Sequence, residues 1–206
     1  MSIGIGTVPV SAVKTVQEAL VEGVATSSLR LPKLSNAPPK SLFLAFPHRV
    51  AHLPLDAIRP YAKLRSAAVN VGWRFLIHQE KQSDGADKKE FVPIASVTVT
   101  EAEGGAFEIG EFNEGPFVEG TETAVRHAET LDVVRKGQFE AVLLLASAVY
   151  VVALWLRDRS GEADVLIPIP PSDASLAPLQ ATTPAAFFAT LHKLAQRVLR
   201  VDAEAR

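Results

Sequence analysis

The sequence predicts an α+β protein with a mainly antiparallel sheet of about five or six strands, helices packed on that sheet, and an N-terminal helical arm. Three patterns lead to this prediction. Apolar and polar residues alternate through residues 69–79, as in a strand with one buried face. Two further strand-like segments follow with turn signals between them, as in an antiparallel meander. Apolar residues at helical spacing occur near both ends of the chain.

The composition indicates one globular domain, or one domain with an arm. The chain has 206 residues, of which 48% are hydrophobic and 21% charged, so it can bury a sizeable core. It contains no cysteine, which excludes disulfides, thiolate nucleophiles and cysteine metal sites and fits a reducing cytoplasm. Residues 1–10 carry neither a basic cluster nor a long apolar run. We therefore expect no secretory signal and a cytoplasmic location.

The first candidate helix covers residues 11–25, with Ser11 as its expected cap. Its apolar stripe consists of Val13, Val16, Leu20 and Val24. Residues 26–40 are rich in Pro, Ser and Lys and indicate a linker. We therefore expect an arm and linker over residues 1–40, joined to a single α+β domain over residues 41–206. Because an apolar stripe has to be covered, the arm docks either on its own body or on a neighbouring molecule.

The first half of the expected domain is rich in strands. Residues 41–46 form a short strand candidate, followed by a proline-bounded turn over residues 47–54. A short helix over residues 55–67 contains Pro60, which breaks or kinks it. The meander is predicted to comprise strands 69–79, 91–100 and 107–112, with turns at Asp84-Gly85 and residues 103–105.

The second half alternates between helix and strand. Residues 119–131 have helical spacing, with Gly120 or Thr121 as the expected cap. The apolar run of residues 141–155 is shorter than the ~20 residues that a membrane-spanning helix needs. Its valines favour two strands that meet at a tight turn. The strands of this half are predicted over residues 139–145, 149–157 and 164–169.

The last helix is predicted to begin at Pro184, with Thr183 as its cap. The body thus has the order helix, three strands, helix, two or three strands, helix. This order is similar to that of small secretion-chaperone-like α+β domains. The resemblance implies a protein that binds other proteins and performs no chemistry, although fold alone does not determine function.

Histidines provide the candidate metal site. His48 and His52 are four residues apart, a spacing that places both imidazoles on one side of a helical turn. A third ligand would come from His78 or from a carboxylate in the middle of the chain. The competing interpretation is two partly exposed histidines in a proline-bounded loop. The sequence has no nucleophile elbow, phosphate-binding loop, H-E-x-x-H motif or calcium-binding loop.

The loop over residues 112–117 is the second candidate contact surface, after the apolar face of the arm. Phe112, Asn113 and Phe117 are its expected partner-binding residues, because aromatic side chains anchor interfaces and helix starts bind anions. The competing interpretation places both phenylalanines in the core, with Gly115 and Pro116 making the turn.

The glutamates around this loop do not converge on one strand face, so they indicate a solvated acidic rim: Glu108, Glu111, Glu114, Glu119 and Glu122.

Charge is unevenly distributed along the chain. Residues 1–69 carry eight basic and three acidic residues, whereas residues 80–140 carry six basic and fourteen acidic ones. Either these are solvated faces, or the basic third of one molecule meets the acidic middle of another. The overall charge of −2 argues against nucleic acid as a partner.

The sequence therefore predicts a non-catalytic protein-interaction or assembly module that self-associates through its N-terminal arm or binds another protein. The expected partners exclude nucleic acid and membranes, and no cofactor is expected. Two alternatives stay open. One is a small metal-assisted hydrolase that uses His48, His52 and a nearby carboxylate. The other is a small-molecule carrier with its ligand between the sheet and a helix.

Overall fold

A computed structural model describes residues 3–4, 6–26, 30–82, 89–161 and 163–204. Within these ranges the chain forms an α+β fold with six α-helices and one mixed sheet of eight strands. The predicted class is confirmed and most strand pairs are antiparallel. The sheet is larger than the five or six strands expected, since Ile3–Gly4 forms an additional strand and the candidate at residues 41–46 extends to His52 within the same sheet. The expected turn at Asp84-Gly85 lies outside the described residues.

The strands are β1 (Ile3–Gly4), β2 (Leu42–His52), β3 (Val69–Gln82), β4 (Lys89–Glu101), β5 (Phe107–Asn113), β6 (Phe139–Ala146), β7 (Val151–Asp158) and β8 (Val165–Pro168). Their order along the sheet is β5-β4-β3-β2-β6-β7-β8, and β1 also pairs with β6. Both β1 and β2 run parallel to β6. The meander β3–β5 and the hairpin β6–β7 are antiparallel, as expected.

The helices are α1 (Val10–Ala25), α2 (Pro32–Ser35), α3 (Leu64–Ala67), α4 (Pro116–Thr130), α5 (Asp132–Lys136) and α6 (Pro184–Glu204). Helix α6 begins as predicted, since the Ala186 N–H donates to Thr183 Oγ1 at 3.3 Å. Helix α1 begins one residue early, and its N-cap is Pro9 rather than Ser11. Helix α4 begins three residues early because Pro116 suits the first turn, so the caps expected at Gly120 or Thr121 are wrong.

The segment after residue 46 differs from the expected turn. Strand β2 continues to His52 and pairs with β6 from Arg49 onward. Phe46 has a φ of 41°, which interrupts the regular strand just before Pro47. The expected helix over residues 55–67 is reduced to a short turn at Leu55–Ala57 and to α3. Pro60 lies between these two pieces and supports the predicted break.

The chain divides into two compact units. The first comprises Met1–Gly6, Arg49–Val71 and Thr123–Arg206, and the second comprises Thr7–His48 and Gly72–Glu122. This division differs from the expected arm of residues 1–40 and body of residues 41–206. Most of residues 1–40 belong to the second unit, because α1 packs on the strands of that unit rather than standing apart.

The core of the second unit forms between α1 and the meander. Trp73, Phe75 and Ile77 of β3 are almost fully buried, as their alternation predicted. Val16 and Leu20 of α1 lie in the same apolar cluster. The helix thus covers one face of the sheet with its own apolar stripe, which removes both surfaces from water.

The core of the first unit forms around β6, β7 and α6. The apolar run that the sequence assigned to two strands is divided between β6 and β7, with a turn at Ser147–Val149. Phe187, Leu191 and Leu194 are buried along one stripe of α6 and join the cluster that includes Trp155. In the described part of the chain, no helix is long and apolar enough to cross a membrane.

Candidate ligand groove

The first unit contains a cavity of about 790 Å³, which lies within the range of ligand pockets. We call it the α6 groove. It is lined by three segments, which are residues 59–65, the β7–β8 loop at Gly161 and Asp164, and α6 from Pro184 to Lys193. Segments far apart in sequence therefore supply its walls, and each wall is set by a different feature of the fold.

Helix α6 supplies one wall because it is apolar on more than one side. The side chain of Phe187 points into the core, while Phe188, one residue on, is 5% exposed and lines the groove. The next turns present Ala189 and then His192 and Lys193 to the same cavity. The spacings of four residues from Phe188 to His192 and from Ala189 to Lys193 keep each pair on the same side of the helix.

Two buried side chains form the apolar floor of the groove. Leu64 is 3% exposed and belongs, like Phe188, to the core of the first unit. Smaller apolar residues complete the lining, namely Pro60, Ala62, Pro184, Ala185 and Ala189. A ligand that enters here would therefore remove apolar surface from water, which is the main source of affinity in most small binding sites.

Arg65 and Asp164 join the wall formed by residues 59–65 to the wall formed by the β7–β8 loop. Arg65 Nε and Nη2 donate to the two carboxylate oxygens of Asp164 at 3.0 and 2.5 Å, and Nη2 also donates to the Asp158 carbonyl oxygen. Asp164 further accepts hydrogen bonds from Trp155 Nε1 and from the Asp158 backbone N–H. The hydrogen bond to Asp164 raises the pKa of Arg65. This fork geometry fixes the wall and neutralises both charges.

Tyr61 stands at the rim with its side chain fully exposed. Its backbone φ of 63° lies in the left-handed region, which is rare for a bulky residue and costs ~1–2 kcal/mol. The strained conformation between Pro60 and Ala62 turns an aromatic side chain toward solvent beside an apolar cavity. Exposed aromatic residues in such positions are frequent anchors for binding partners.

Three cations surround the groove without a carboxylate partner. Arg59, Lys63 and Lys193 are exposed, and none forms an ion pair with a carboxylate that the structure describes. Arg59 uses its Nε to donate to the Asp56 carbonyl oxygen at 2.6 Å, which leaves the rest of its guanidinium available. The only described carboxylate in the lining is Asp164, which Arg65 already holds. The described residues therefore give the groove a positive rim.

His192 is held by hydrogen bonds at both ring nitrogens. Nδ1 donates to the Ile58 carbonyl oxygen at 3.3 Å, and Nε2 accepts from Gln196 Nε2 at 3.2 Å. Asp164 and His192, two polar side chains of the described lining, are therefore both held by hydrogen bonds.

The two predicted metal residues lie in a strand instead of a helical turn. His48 and His52 both belong to β2, where a rise of ~3.3 Å per residue separates positions four apart by ~13 Å. The helical geometry on which the metal hypothesis depended is therefore absent. Within the described residues, no group of three or more His, Cys, Asp or Glu side chains is placed to hold a metal ion.

His48 is instead a buried neutral histidine. It is fully buried, its Nδ1–H donates to the Phe46 carbonyl oxygen at 2.7 Å, and its Nε2 has no hydrogen-bond partner in the described structure. Burial away from water, helped by the nearby charge of Arg74, lowers the pKa of His48 to about 4. Arg74 is itself buried and bonds Thr98 and Glu111.

The predicted interface of the arm lies against the chain's own sheet. Val16 is fully buried and Leu20 is 8% exposed, while Val13 and Val24 are half-buried at the edge of the same cluster. Of the two docking modes expected for the arm, the structure thus has docking on its own body. The apolar stripe is covered by the side chains of β3 and β4 within the second unit.

The predicted contact loop is partly covered. Phe112, Asn113 and Phe117 are all half-buried, and Phe112 packs against the core of the second unit. The loop is held by Glu114 Oε1, which accepts a hydrogen bond from the Leu34 backbone N–H at 2.7 Å. Phe117 also uses its carbonyl oxygen to accept from Thr121 Oγ1. The loop therefore makes contacts within its own unit, and the partner-binding role of these three residues stays a prediction.

The acidic residues around that loop have separate partners. Glu111 pairs with Arg74 at 2.8 Å, Glu119 with Lys33 at 3.0 Å, and Glu122 lies 3.4 Å from His78. Glu108 is exposed on β5. These carboxylates do not meet at one point, so they form individual contacts within the second unit rather than a shared site.

Sequence reasoning missed the α6 groove. Its walls come from segments about 100 residues apart, and no local pattern marks such a pairing. The one available signal was the basic run Arg59, Lys63 and Arg65 next to the helix-breaking Pro60. The chain matches no family model, no curated protein and no solved structure.

Proposed function

We propose that this protein is a non-catalytic interaction module that docks a segment of a partner protein in the α6 groove. The observation that carries the proposal is the combination of a buried apolar floor at Leu64 and Phe188 with an exposed aromatic rim at Tyr61. Interfaces concentrate their binding energy in this kind of pocket, where an apolar anchor is buried and polar groups surround it. The proposed location is the cytoplasm.

The hydrogen bonding of Asp164 and His192 supports binding rather than catalysis. Asp164 is saturated by Arg65, Trp155 and a backbone N–H, and both nitrogens of His192 are engaged. A catalytic acid or base needs a free position from which to reach its substrate. The proposal therefore assigns these residues to shaping the groove.

The partner is proposed to be another protein rather than a copy joined through the N-terminal arm. Assembly through α1 would require Val16 and Leu20 to leave their own core. Exposing both side chains to water would cost ~3–5 kcal/mol before any new contact forms. The α6 groove is open without such a rearrangement, so it is the better candidate for a contact surface.

A second candidate function is that of a small-molecule carrier. The cavity volume of about 790 Å³ favours it, since drug-sized ligands occupy pockets of ~300–1,000 Å³. A carrier would hold an organic ligand against Phe188 and would not require a protein partner.

Photocrosslinking in the cells that produce this chain separates the two candidates. In one variant, benzoylphenylalanine replaces Tyr61 at the rim. In the control variant, it replaces Val21 of α1, which is 68% exposed. A discrete protein adduct from position 61 that position 21 does not give would support the interaction module. An organic molecule released from the purified native protein, with no adduct at position 61, would contradict it and favour the carrier.

A further inference from the structure

We infer that the occupant of the α6 groove is an acidic polypeptide segment that carries an apolar anchor residue. This inference rests on the proposed function and specifies the chemistry of the partner. It combines three observations: the rim charge, which is uncompensated within the described residues, the apolar floor, and the small size of the basic surface.

The charge of the rim is uncompensated within the described structure. Arg59, Lys63 and Lys193 have no carboxylate partner there, while the charges of Arg65 and Asp164 cancel each other. Three cations around one cavity repel one another and concentrate a positive potential over it. A ligand with two or three carboxylates relieves this repulsion, and a basic ligand increases it.

The floor requires an apolar group in addition to charge. Leu64 and Phe188 are nearly buried but contribute to the lining, so a side chain placed above them exchanges water for carbon contacts. Tyr61 at the rim adds an aromatic ring that can close over an anchor residue. A purely ionic ligand, such as inorganic phosphate, would leave this apolar surface uncovered.

The size of the basic surface favours a polypeptide over a nucleic acid. Nucleic acids are bound by extended basic surfaces that contact many phosphates, whereas this rim has three available cations around a concave apolar site. The whole chain also has a net charge of −2. Specificity for an acidic segment thus follows from a local positive patch on a slightly acidic protein.

Selection from a library of displayed random 12-residue peptides tests the inference on the full chain. The selection is run in parallel on the unmodified protein, on a groove variant with Lys63→Glu and Lys193→Glu, and on a control variant with Arg30→Glu and Lys40→Glu. The control residues are exposed, do not line the groove and undergo the same change of charge. Melting temperatures first establish that all three proteins are folded.

The expected result is enrichment of peptides with net negative charge and at least one aromatic or large aliphatic residue. These peptides should bind the groove variant at least tenfold more weakly and the control variant within twofold of the unmodified protein. Their affinity should also fall as salt is added, because the cations are exposed. Replacing the anchor residue of a selected peptide with alanine should weaken binding at least tenfold.

Two results would overturn the inference in different ways. Enrichment of neutral or basic peptides that depend on the groove would contradict the acidic occupant but retain the proposed function. Absence of any groove-dependent peptide would contradict both. In that case, binding of dodecanoate to the groove would assign the site to a small amphipathic anion. If the enriched acidic peptides instead match residues 80–140 of this chain, the inference is supported and the occupant is a second copy.

Discussion

Asp164 accepts two hydrogen bonds from the guanidinium of Arg65, although the two residues are 99 positions apart in the sequence. The pair joins the segment before β3 to the loop between β7 and β8, and both residues line the α6 groove. A charge-assisted fork of this kind fixes direction as well as distance. It is therefore the contact that defines the shape of the proposed binding site.

Replacement of Asp164 by alanine is predicted to destabilise the protein by ~2–4 kcal/mol. The change leaves Arg65 without its carboxylate partner and removes the acceptor of Trp155 Nε1, which belongs to a side chain only 2% exposed. Asp132→Ala is the control, because Asp132 pairs with Arg135 at an exposed position. Chemical denaturation of both variants measures the difference. A loss for Asp164→Ala no larger than the loss for Asp132→Ala would contradict the proposed role of the pair.

Replacement of Leu20 by aspartate tests the position of the N-terminal helix. Leu20 is 8% exposed in the core of the second unit, so an unpaired carboxylate there is predicted to cost ~3 kcal/mol or more. Val21→Asp, at a 68% exposed position of the same helix, should change stability by no more than ~0.5 kcal/mol. Thermal unfolding of the two variants provides the comparison. Equal stability would mean that α1 is not docked on its own sheet.

Gly72 is predicted to tolerate no side chain. Its φ is 153°, and a Cβ atom there would lie 1.9 Å from the carbonyl oxygen of Val99 on the neighbouring strand. Gly72→Ala should therefore cost ~1–3 kcal/mol from overpacking in addition to the backbone strain. Gly105→Ala is the control, since Gly105 also has a positive φ but nothing lies near its Cβ position. Similar unfolding free energies for the two variants would contradict the close approach of β3 and β4.

His48 predicts how stability depends on pH. Its pKa is about 4 in the folded protein, below the value of ~6.5 in an unfolded chain. The unfolded state therefore binds a proton first as the pH falls. The contribution of neutral His48 to the free energy of unfolding is complete above pH ~6.5. It is lost progressively toward pH 4, by on the order of 3 kcal/mol.

The measurement is the free energy of unfolding between pH 7.5 and 4 for the unmodified protein and for His48→Gln. The slope between pH ~6.5 and 4 should be smaller in the variant, because glutamine does not titrate. Carboxylates contribute to both proteins, so the difference between the two curves isolates the histidine. Parallel curves would show that His48 is not buried in its neutral form.

Local sequence patterns predicted the elements that can be recognised from their own residues. The alternation over residues 69–79 identified β3, and Thr183 with Pro184 identified the start of α6. The apolar run over residues 141–155 was assigned to two strands because it is short and rich in valine. The alternation marks the face of β3 that carries Trp73, Phe75 and Ile77, whereas the continuous apolar run corresponds to two strands that are buried on both faces.

The elements that depend on distant contacts were not predicted. Residues 47–52 contain a proline and two histidines and give no strand signal, yet pairing with β6 holds them extended. The packing of the apolar stripe of α1 on the sheet of its own unit likewise depends on contacts between residues distant in sequence. The α6 groove required Arg65 and Asp164 to be brought together from opposite halves of the chain, and sequence spacing carries no information about that approach.

Nuclear magnetic resonance of protein labelled at alanine methyl groups tests the central claim most directly. Ala62, Ala185 and Ala189 line the α6 groove, whereas Ala12 and Ala95 are buried in the second unit. Titration with the most strongly selected acidic peptide should shift the three groove methyl signals in a saturable way and leave the other two unchanged. Unchanged groove signals, or shifts confined to Ala12 and Ala95, would contradict the assignment of the α6 groove as the binding site.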